Sequence, residues 1–465
     1  DPYTVPATVK QILDGAFSHA EGLKGIVMTP PLVKIGKESF KDCIQLLTVA
    51  IPSTVTKIDD GAFSGAYRVK GFVVDPSNTV YKTDDKGVIY SADGTELAAF
   101  PAGMTGTYAT LPTTKRILKE AFKAAPAVEK VIFNSGLETI GQDAFQAATG
   151  LKRIEFAAPA TVRDIGDFSF YGSALETLWL PASVETVGWS AFANCPRLKT
   201  VSVEAHSRLQ KTGTSSFENC GSLESFVFEG ACALKTVGNR TFMNDPKLTG
   251  FRFPSKVEEI ETGAFNGCKA LVSVTFPADA VIRKIGKGAF QNALSLPSIT
   301  LPASVESIEE SAFNSCQSLV EIKIPATTTS IDPRAFQFCG KLATFTVDPS
   351  NPSYSSVDGF LLSKDKKTLA TFPPAKAGTY YTLLPPVIEK IGDYAFYYVQ
   401  NLENITIPEG VTEIGNYAFD NCSRLNTIAF LSHTPVPASK IGDKAFNEDN
   451  VNKGGIEISV RVDAF

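Results

Sequence analysis

The segment that decides the fold is LPSITLPASVESIEESAFNSC, which runs from Leu296 to Cys316. In its first part, Ile299 and Leu301 alternate with Thr300, and a period of two is typical of a strand with one buried face. Pro302 follows directly, and proline ends a strand because it cannot donate to the hydrogen-bond ladder. The start of the segment therefore predicts a short strand.

The second part of the segment carries another apolar pair and an Ala-Phe dipeptide. Val305 and Ile308 form the pair, and Ala312-Phe313 predicts a tight turn or a single helical turn before Cys316 closes the segment. The unit has apolar residues on every side, yet about 23 residues are too few for an independent domain. Such a unit buries its apolar residues only by stacking on similar units.

Copies of this unit occupy the whole chain. Sixteen phenylalanines take the motif position, at spacings of 22 to 27 residues except for two intervals of 59 and 60. Ala precedes twelve of them, and Ser or Thr precedes the others. They are Phe17, Phe40, Phe63, Phe122, Phe145, Phe170, Phe192, Phe217, Phe242, Phe265, Phe290, Phe313, Phe336, Phe396, Phe419 and Phe446. A length of 465 residues alone would suggest about three domains, but the repeat predicts a single solenoid over residues 1–465.

The two long intervals contain matching segments. Residues 75–112 begin DPSNTVYKTDDKG and residues 348–385 begin DPSNPSYSSVDG. In the first segment, Val88 to Tyr90 is predicted to pair with Leu97 to Phe100 across the turn Asp93-Gly94, and the second segment is expected to pair similarly. Each segment is interpreted as an atypical turn of the solenoid that lacks the Ala-Phe motif.

The composition argues against several classes of function. The chain has 44 basic and 49 acidic residues, a net charge of −5 and no polybasic run, so nucleic acid is not an expected partner. The uncharged stretch 97–114 is interrupted by proline and glycine, so no membrane insertion is expected. The chain has three histidines, and they lie far apart in the sequence: His19, His206 and His433. No catalytic, cofactor or metal site is predicted, and the acidic run near Asp84 is interpreted as a plain turn because it lacks the spacing of a calcium loop.

The pattern Leu-x-x-Ile-x-Leu-Pro, Val-x-x-Ile-Gly and Ala-Phe-x-x-Cys resembles the BspA-like bacterial leucine-rich repeats over essentially the whole chain. The resemblance implies an α/β repeat solenoid that is curved and right-handed, with a parallel β-sheet on its concave side. The other side is expected to be irregular, with short convex helical turns. About 18 turns of about 23 residues each would account for the chain.

The two ends are expected to differ. Residues 3–6 match the exit of the atypical segments, so the first residue falls inside a repeat, and the core is expected to be open at this end unless upstream residues cap it. At the other end, the pattern breaks at Leu431 to Pro437. Residues 431–465 are interpreted as a C-terminal closing segment, with a last strand within 456–465 that resembles those of the family.

Seven of the eight cysteines follow a motif phenylalanine by three residues: Cys43, Cys195, Cys220, Cys268, Cys316, Cys339 and Cys422. Other repeats place Ala, Ser, Val or Asp there, so the position suits a small buried residue. Buried free thiols are expected, with disulfides between adjacent turns and a metal or catalytic role as alternatives. Cys232 stands outside this column, and its state is left open.

One exposed residue per predicted strand forms a central column on the concave sheet. These residues are Val27, Ala50, Val73, Ile132, Glu155, Trp179, Ser202, Val227, Arg252, Thr275, Thr300, Lys323, Thr346, Thr406 and Ala429. Small and β-branched residues simply suit strands. The alternative is a flat binding face, on which the candidate residues are Glu155, Trp179, Arg252, Thr275, Thr300 and Lys323, with Trp179 as an anchor because exposed tryptophans are frequent hot spots.

The resemblance also implies a function. BspA-like proteins are associated with attachment to host proteins, matrix or other cells, so the chain is expected to be a non-enzymatic, exported adhesion protein. It would face outward at the bacterial cell surface or outer membrane, with an upstream lipid anchor as one means of attachment. Its ligand would be a surface protein, a matrix component or a glycan. The alternative is a structural spacer or envelope scaffold that displays another domain.

Overall fold

The computed structural model describes residues 2–377, 382–432, 436–446 and 457–460. The chain divides into two compact units. Unit 1 consists of Asp1–Leu234 with Arg240–Asp245, and unit 2 consists of Lys235–Asn239 with Pro246–Phe465. That one solenoid spans residues 1–465 stays a prediction.

Nearly every repeat contributes two strands. The first has two to six residues and is called the longer strand, the second has two residues, and like strands of successive repeats pair in parallel. In unit 1 the longer strands are Tyr3–Thr4, Gly25–Val27, Thr48–Ile51, Phe72–Val74, Gly106–Ala109, Val128–Phe133, Arg153–Phe156, Thr177–Leu180, Thr200–Val203 and Ser225–Phe228. The two-residue strands are Gln11–Ile12, Lys34–Ile35, Lys57–Ile58, Arg116–Ile117, Thr139–Ile140, Asp164–Ile165 and Thr186–Val187. This is the parallel-sheet solenoid that the repeat predicts, with about 18 turns in the chain.

Unit 2 repeats the same architecture. Its longer strands are Gly250–Arg252, Ser273–Thr275, Ser298–Ile299, Glu321–Ile324, Thr344–Val347, Thr382–Leu383, Asn404–Ile407, Thr427–Phe430 and Glu457–Val460. Its two-residue strands are Thr236–Val237, Glu259–Ile260, Lys284–Ile285, Ser307–Ile308, Ser330–Ile331, Lys390–Ile391 and Glu413–Ile414. Two 3₁₀ turns lie at Pro374–Lys376 and Ala438–Lys440.

The motif phenylalanines form stacked ladders inside each unit. In unit 2 the ring of Phe313 lies 5.5 Å from the rings of Phe290 and Phe336, measured between centroids, and all three rings are buried. The backbone follows the same stacking, because the N–H of Phe313 donates to the carbonyl oxygen of Ala335 in the next repeat, at 2.8 Å. Each Ala-Phe motif is thus a point where neighbouring turns are joined.

The expectation of convex helical turns is wrong for the described ranges, which contain no α-helix. The residues two before and two after most motif phenylalanines have a positive φ; Ser311 (56°) and Ser315 (62°) flank Phe313 in this way. A left-handed residue stops the regular α-helical hydrogen bonding. The motif therefore forms successive tight turns, and the phenylalanine N–H points to the next repeat instead of along its own chain.

The two atypical segments carry a three-stranded antiparallel arrangement. In unit 1 its strands are Tyr81–Thr83, Ile89–Ser91 and Glu96–Ala99, and in unit 2 they are Tyr354–Val357, Phe360–Ser363 and Thr368–Thr371. The predicted pairing is confirmed by the register Leu97↔Tyr90. The third strand of each segment pairs in parallel with the next two-residue strand, so it takes a regular place in that ladder.

The prediction that these segments lack the Ala-Phe motif is wrong. Phe100 stacks on Phe122 at 4.2 Å, and its N–H donates to the carbonyl of Ala121, as in a regular repeat. Phe372 packs on Phe396 at 4.7 Å in the same way. Each segment is a hairpin followed by a shortened motif turn.

The C-terminal prediction is confirmed in part. Glu457–Val460 pairs in parallel with Thr427–Phe430 and so extends the longer-strand sheet of unit 2. The remaining parts of the predicted closing segment at 433–435, 447–456 and 461–465 lie outside the described residues.

Candidate functional site

The cysteine column is part of the core. All eight cysteines are buried and unbridged. The Cys316 thiol donates to the carbonyl oxygen of Phe290 in the preceding repeat at 3.3 Å, and Cys422 donates to Phe396 at 3.1 Å. Burial raises the pKa of the Cys422 thiol to about 12. A protonated thiol is a poor nucleophile and metal ligand. The expectation of buried free thiols is confirmed for the seven cysteines of the column, and Cys232, whose state the sequence left open, is also buried and unbridged.

The residues weighed for metal binding have other partners. The Asp84 carboxylate accepts the backbone N–H groups of Lys86 (3.0 Å) and Val88 (2.8 Å) and the hydroxyl of Tyr108 (2.8 Å). These are the bonds of a closed turn, as expected from its spacing. Across 2–377, 382–432, 436–446 and 457–460, no three His, Cys, Asp or Glu side chains are grouped to hold a metal ion. His206 is exposed, and His433 lies outside the described residues.

The candidate residues of the predicted exposed column divide between the two units. Glu155 and Trp179 belong to unit 1, on strands of two different sheets. Trp179 is in register with Ser202, and Ser202 with Val227, so this part of the column is continuous. The exposed fraction of Trp179 is 36%. Unit 1 therefore presents a short, weakly polar strip with one large aromatic side chain.

Glu155 is held by basic neighbours on its own sheet. Its carboxylate lies 2.8 Å from the Lys130 ammonium and 3.0 Å from the Arg153 guanidinium. The hydrogen bond from Lys130 is the main cause that lowers the pKa of Glu155. These contacts already satisfy the charge, so Glu155 is the least suitable of the six candidates to contact a ligand.

In unit 2 the structure brings three of the candidates together. Arg252 is in register with Thr275. Thr275 and Thr300 line one open groove of about 490 Å³, between the strands Ser273–Thr275 and Ser298–Ile299. Lys323 lies further along in register with Thr346, and all four candidates of this unit are exposed.

The groove lies where the longer-strand sheet is interrupted, because Ser273–Thr275 and Ser298–Ile299 belong to different sheets. In the repeat before, the N–H of Val272 donates to the carbonyl oxygen of Thr249 at 2.9 Å. Pro297 holds the equivalent position one repeat later, and proline has no N–H to donate to the ladder. The hydrogen bond that joins Val272 to its preceding repeat therefore has no counterpart at Pro297, beside the groove.

One residue of the exposed column was placed wrongly. Thr406 is only 8% exposed, although its strand is in register with Ala429 as expected. No contact among the described residues explains why this member of the column is buried.

A second exposed tryptophan was not among the residues predicted from the sequence. Trp189 is 53% exposed, more than Trp179, and it lies on a motif turn instead of the longer-strand sheet. Its ring packs on Phe168 at 4.9 Å, and Phe168 packs on Tyr171 at 5.7 Å. The available signal was its position: three residues before a motif phenylalanine, other repeats carry residues such as Asp, Asn, Lys or Thr.

No helix among the described residues is long and apolar enough to cross a membrane.

The chain is similar to known repeat proteins. A family model, BspA type Leucine rich repeat region, matches in six copies at residues 2–84, 115–234, 235–356 and 382–462. A search of curated proteins found no match.

Among solved structures, a leucine-rich repeat protein from Eubacterium ventriosum is 23% identical, with 67% of this chain and 75% of that chain covered and a TM-score of 0.39. A leucine rich cell surface protein from Faecalibacterium prausnitzii is 21% identical (92% and 87% covered, TM-score 0.38). A leucine-rich repeat protein from Bacteroides ovatus is 17% identical (93% and 88% covered, TM-score 0.42).

Proposed function

Because the chain belongs to the family of BspA type leucine-rich repeats, we propose that it is a non-enzymatic binding protein, exported and displayed at a bacterial cell surface. The observation that carries the proposal is the exposed column of the longer-strand sheets. Its members are mostly small or β-branched, and they stand on paired strands that need no rearrangement to meet a ligand. A pre-formed surface of this kind avoids most of the ordering cost of binding.

Two features of the column support contact with a macromolecule. Trp179 offers a large aromatic side chain beside the small Ser202, and tryptophan is prominent among interface hot spots. The groove at Thr275 and Thr300 offers a recess of about 490 Å³, within the usual size of ligand pockets. A protruding side chain or a sugar unit of the partner would fit this recess, while the flat strip would contact the surrounding surface.

The partner class follows from the family and from charge. The resemblance suggests host or neighbouring-cell surface proteins, matrix components or glycans. Of the six candidates, only Glu155, Arg252 and Lys323 are charged, and Glu155 is already paired. The proposed contact is therefore mainly one of shape and hydrogen bonding, and we expect it to be only weakly sensitive to salt.

The test is a binding screen of the purified chain against matrix proteins and a glycan array, followed by two matched variants. Trp179→Ala is expected to weaken binding of a ligand found in the screen by about tenfold or more, as for a hot-spot residue. Trp189→Ala removes an even more exposed tryptophan on a different edge of unit 1 and is expected to leave that affinity unchanged. Equal effects of the two variants, or none from Trp179→Ala, would refute the placement of the site.

A further inference from the structure

The motif turns carry two columns of left-handed residues, two positions before and two positions after the motif phenylalanine. We call these the left-handed columns. In unit 2 they contain Gly263, Gly267, Gly288, Asn292, Ser311, Ser315 and Asn421, all with positive φ. Glycine and asparagine tolerate this conformation best, whereas a bulky side chain there is a conformational outlier.

Four aromatic residues break this preference in one region of unit 2. Phe338 (φ 58°), Tyr394 (57°), Tyr398 (61°) and Tyr417 (54°) hold left-handed positions. Their motif phenylalanines are Phe336, Phe396 and Phe419, so the four residues lie on three motif turns. A sterically unfavourable conformation that recurs at clustered positions points to a role beyond the backbone.

The four side chains and Tyr397 form one cluster, which we call the aromatic surface. Phe338 contacts Tyr398 at 4.4 Å, Tyr398 contacts Tyr397 at 4.6 Å, Tyr397 contacts Tyr394 at 5.2 Å, and Tyr394 stacks on Tyr417 at 5.0 Å. All five side chains are partly exposed. They are fixed against one another while each keeps part of its surface in solvent.

Holding the repeats together does not require aromatic residues at these positions. The shortened motif turn at Phe372 leaves a gap, across which Phe338 meets Tyr398. The equivalent gap in unit 1, beside Phe100, is spanned by polar groups, with the Lys119 ammonium 3.6 Å from the carboxylate of Asp60. Tyr417 takes no part in this bridging, because it stacks on Tyr394 on the far side of the gap.

The arrangement of the rings favours a polypeptide partner over a glycan. A sugar ring stacks on a free aromatic face, but two of the five rings, Tyr394 and Tyr417, already have partners on their faces. Tyr394 lies between Tyr417 and the Arg334 guanidinium, which is 5.3 Å from its centroid. Tyr417 lies between Tyr394 and the Lys444 ammonium, at 5.9 Å. The rings therefore offer edges and hydroxyl groups, the features that make tyrosine a versatile residue at protein interfaces.

The charges on these turns indicate which polypeptide fits. Asp393 and Asp443 are exposed beside Tyr394 and Lys444. Burial, then Tyr398 and the nearby Asp420 carboxylate, raise the pKa of Tyr397, which places a third negative charge beside the rings. The guanidinium of Arg334 is already paired with Asp332 and Glu310. Carboxylates beside tyrosine hydroxyl groups complement arginine and lysine side chains, which carry positive charge and donate hydrogen bonds.

We propose that the aromatic surface of unit 2 docks a polypeptide segment rich in arginine or lysine. This site is separate from the exposed column, since it lies on the motif turns and shares no residue with it. It would give the chain a second binding site, with chemistry different from that of the exposed column.

The test uses a variant built from the chain's own repeats. Phe338→Asn and Tyr398→Asn match Asn292 and Asn421 in one left-handed column, and Tyr394→Ser and Tyr417→Ser match Ser311 in the other. Since the new residues suit left-handed backbone at least as well, the melting temperature of the four-site variant is expected to stay the same or rise. A lower melting temperature would show that the rings serve the fold, and it would overturn the proposal unless Tyr417→Ser alone melts normally and loses binding.

Binding is tested with a phage-displayed library of random dodecapeptides, selected on the full chain and counter-selected on the four-site variant. Surviving peptides are expected to be enriched in Arg and Lys, to bind the four-site variant at least about tenfold more weakly, and to bind the Trp179→Ala variant normally. Failure to select such peptides, selection of acidic or uncharged ones, or equal binding to the four-site variant would overturn the proposal. Loss of peptide binding in the Trp179→Ala variant would instead assign the peptide-binding site to the exposed column.

Discussion

Asp245 offers the sharpest test of how the stacked core responds to a polar residue. It occupies the cysteine column, three residues after Phe242, and is 0% exposed. One carboxylate oxygen accepts the N–H of Cys220 at 2.7 Å, and the other has no hydrogen-bond partner. Burial raises the pKa of Asp245 well above its ordinary value of 3.8. In the folded chain the side chain is therefore held in its neutral form to higher pH.

The sign of the pH dependence follows from this shift. Above about pH 4 the unfolded chain has released the proton, while the folded chain still binds it, so stability falls as pH rises. The slope for one proton is about 1.4 kcal/mol per pH unit, up to the folded pKa. If the folded pKa of Asp245 lies above pH 7, this side chain alone is expected to lower the free energy of unfolding by about 3 kcal/mol between pH 5 and pH 7.

The variant Asp245→Asn keeps an acceptor for the Cys220 N–H but cannot ionise. We expect its free energy of unfolding to match that of the original chain near pH 4.5 and to exceed it progressively as the pH rises toward the folded pKa of Asp245. The measurement is urea unfolding of both chains at several pH values, because only their difference isolates this group. The same substitution at the exposed Asp443 is the control and should show no growing difference. If the difference in free energy of unfolding between the Asp245→Asn and original chains stays constant with pH, the reasoning is refuted.

Three further predictions concern the core and its edges. Phe313→Ala removes one ring of the ladder and is expected to destabilise unit 2 by about 3–5 kcal/mol, measured by chemical unfolding. Tyr354→Phe leaves the N–H of Ile331 without the hydroxyl that accepts it at 2.9 Å, at an expected cost of about 1–3 kcal/mol; an unchanged unfolding midpoint would contradict this role. The eight buried thiols are expected to resist a thiol-labelling reagent in the native chain and to react after denaturation, which mass spectrometry resolves residue by residue. Rapid native labelling of Cys422 would contradict its raised pKa.

The core was predictable from sequence because every repeat packs against neighbours of nearly the same structure. The ring of Phe313 and the thiol of Cys316 contact equivalent atoms of the neighbouring repeat, so the same residue types recur at nearly constant spacing. Phe100 escaped prediction because the hairpin before it lengthens the interval from Phe63 to 37 residues. Its distance of 22 residues from Phe122 equals the shortest regular spacing. The signal was therefore present in the spacing to the following motif phenylalanine, but not in the spacing from the preceding one.

The motif turns were harder to predict because backbone conformation there opposes local propensity. Glu38 and Glu120 favour helices in isolation, yet both take a left-handed φ, of 50° and 59°. Bonds such as that from the N–H of Phe40 to the carbonyl of Ala62 in the next repeat compensate for the unfavourable conformation. This is a tertiary effect, and no window of sequence within a single repeat reveals it.

The same reasoning explains why, in a repeat protein, a candidate site is recognised from residues that differ from the others in their column. A buried column admits few residue types, so its composition reports packing alone. An exposed or left-handed column has no packing demand for a large side chain, so Trp189 and Tyr417 stand out against the small or polar residues of their columns. The exposed column that contains Trp179 was chosen from the usual behaviour of the architecture. The aromatic surface was identified from phenylalanine and tyrosine side chains at left-handed positions that most other repeats fill with small or polar residues.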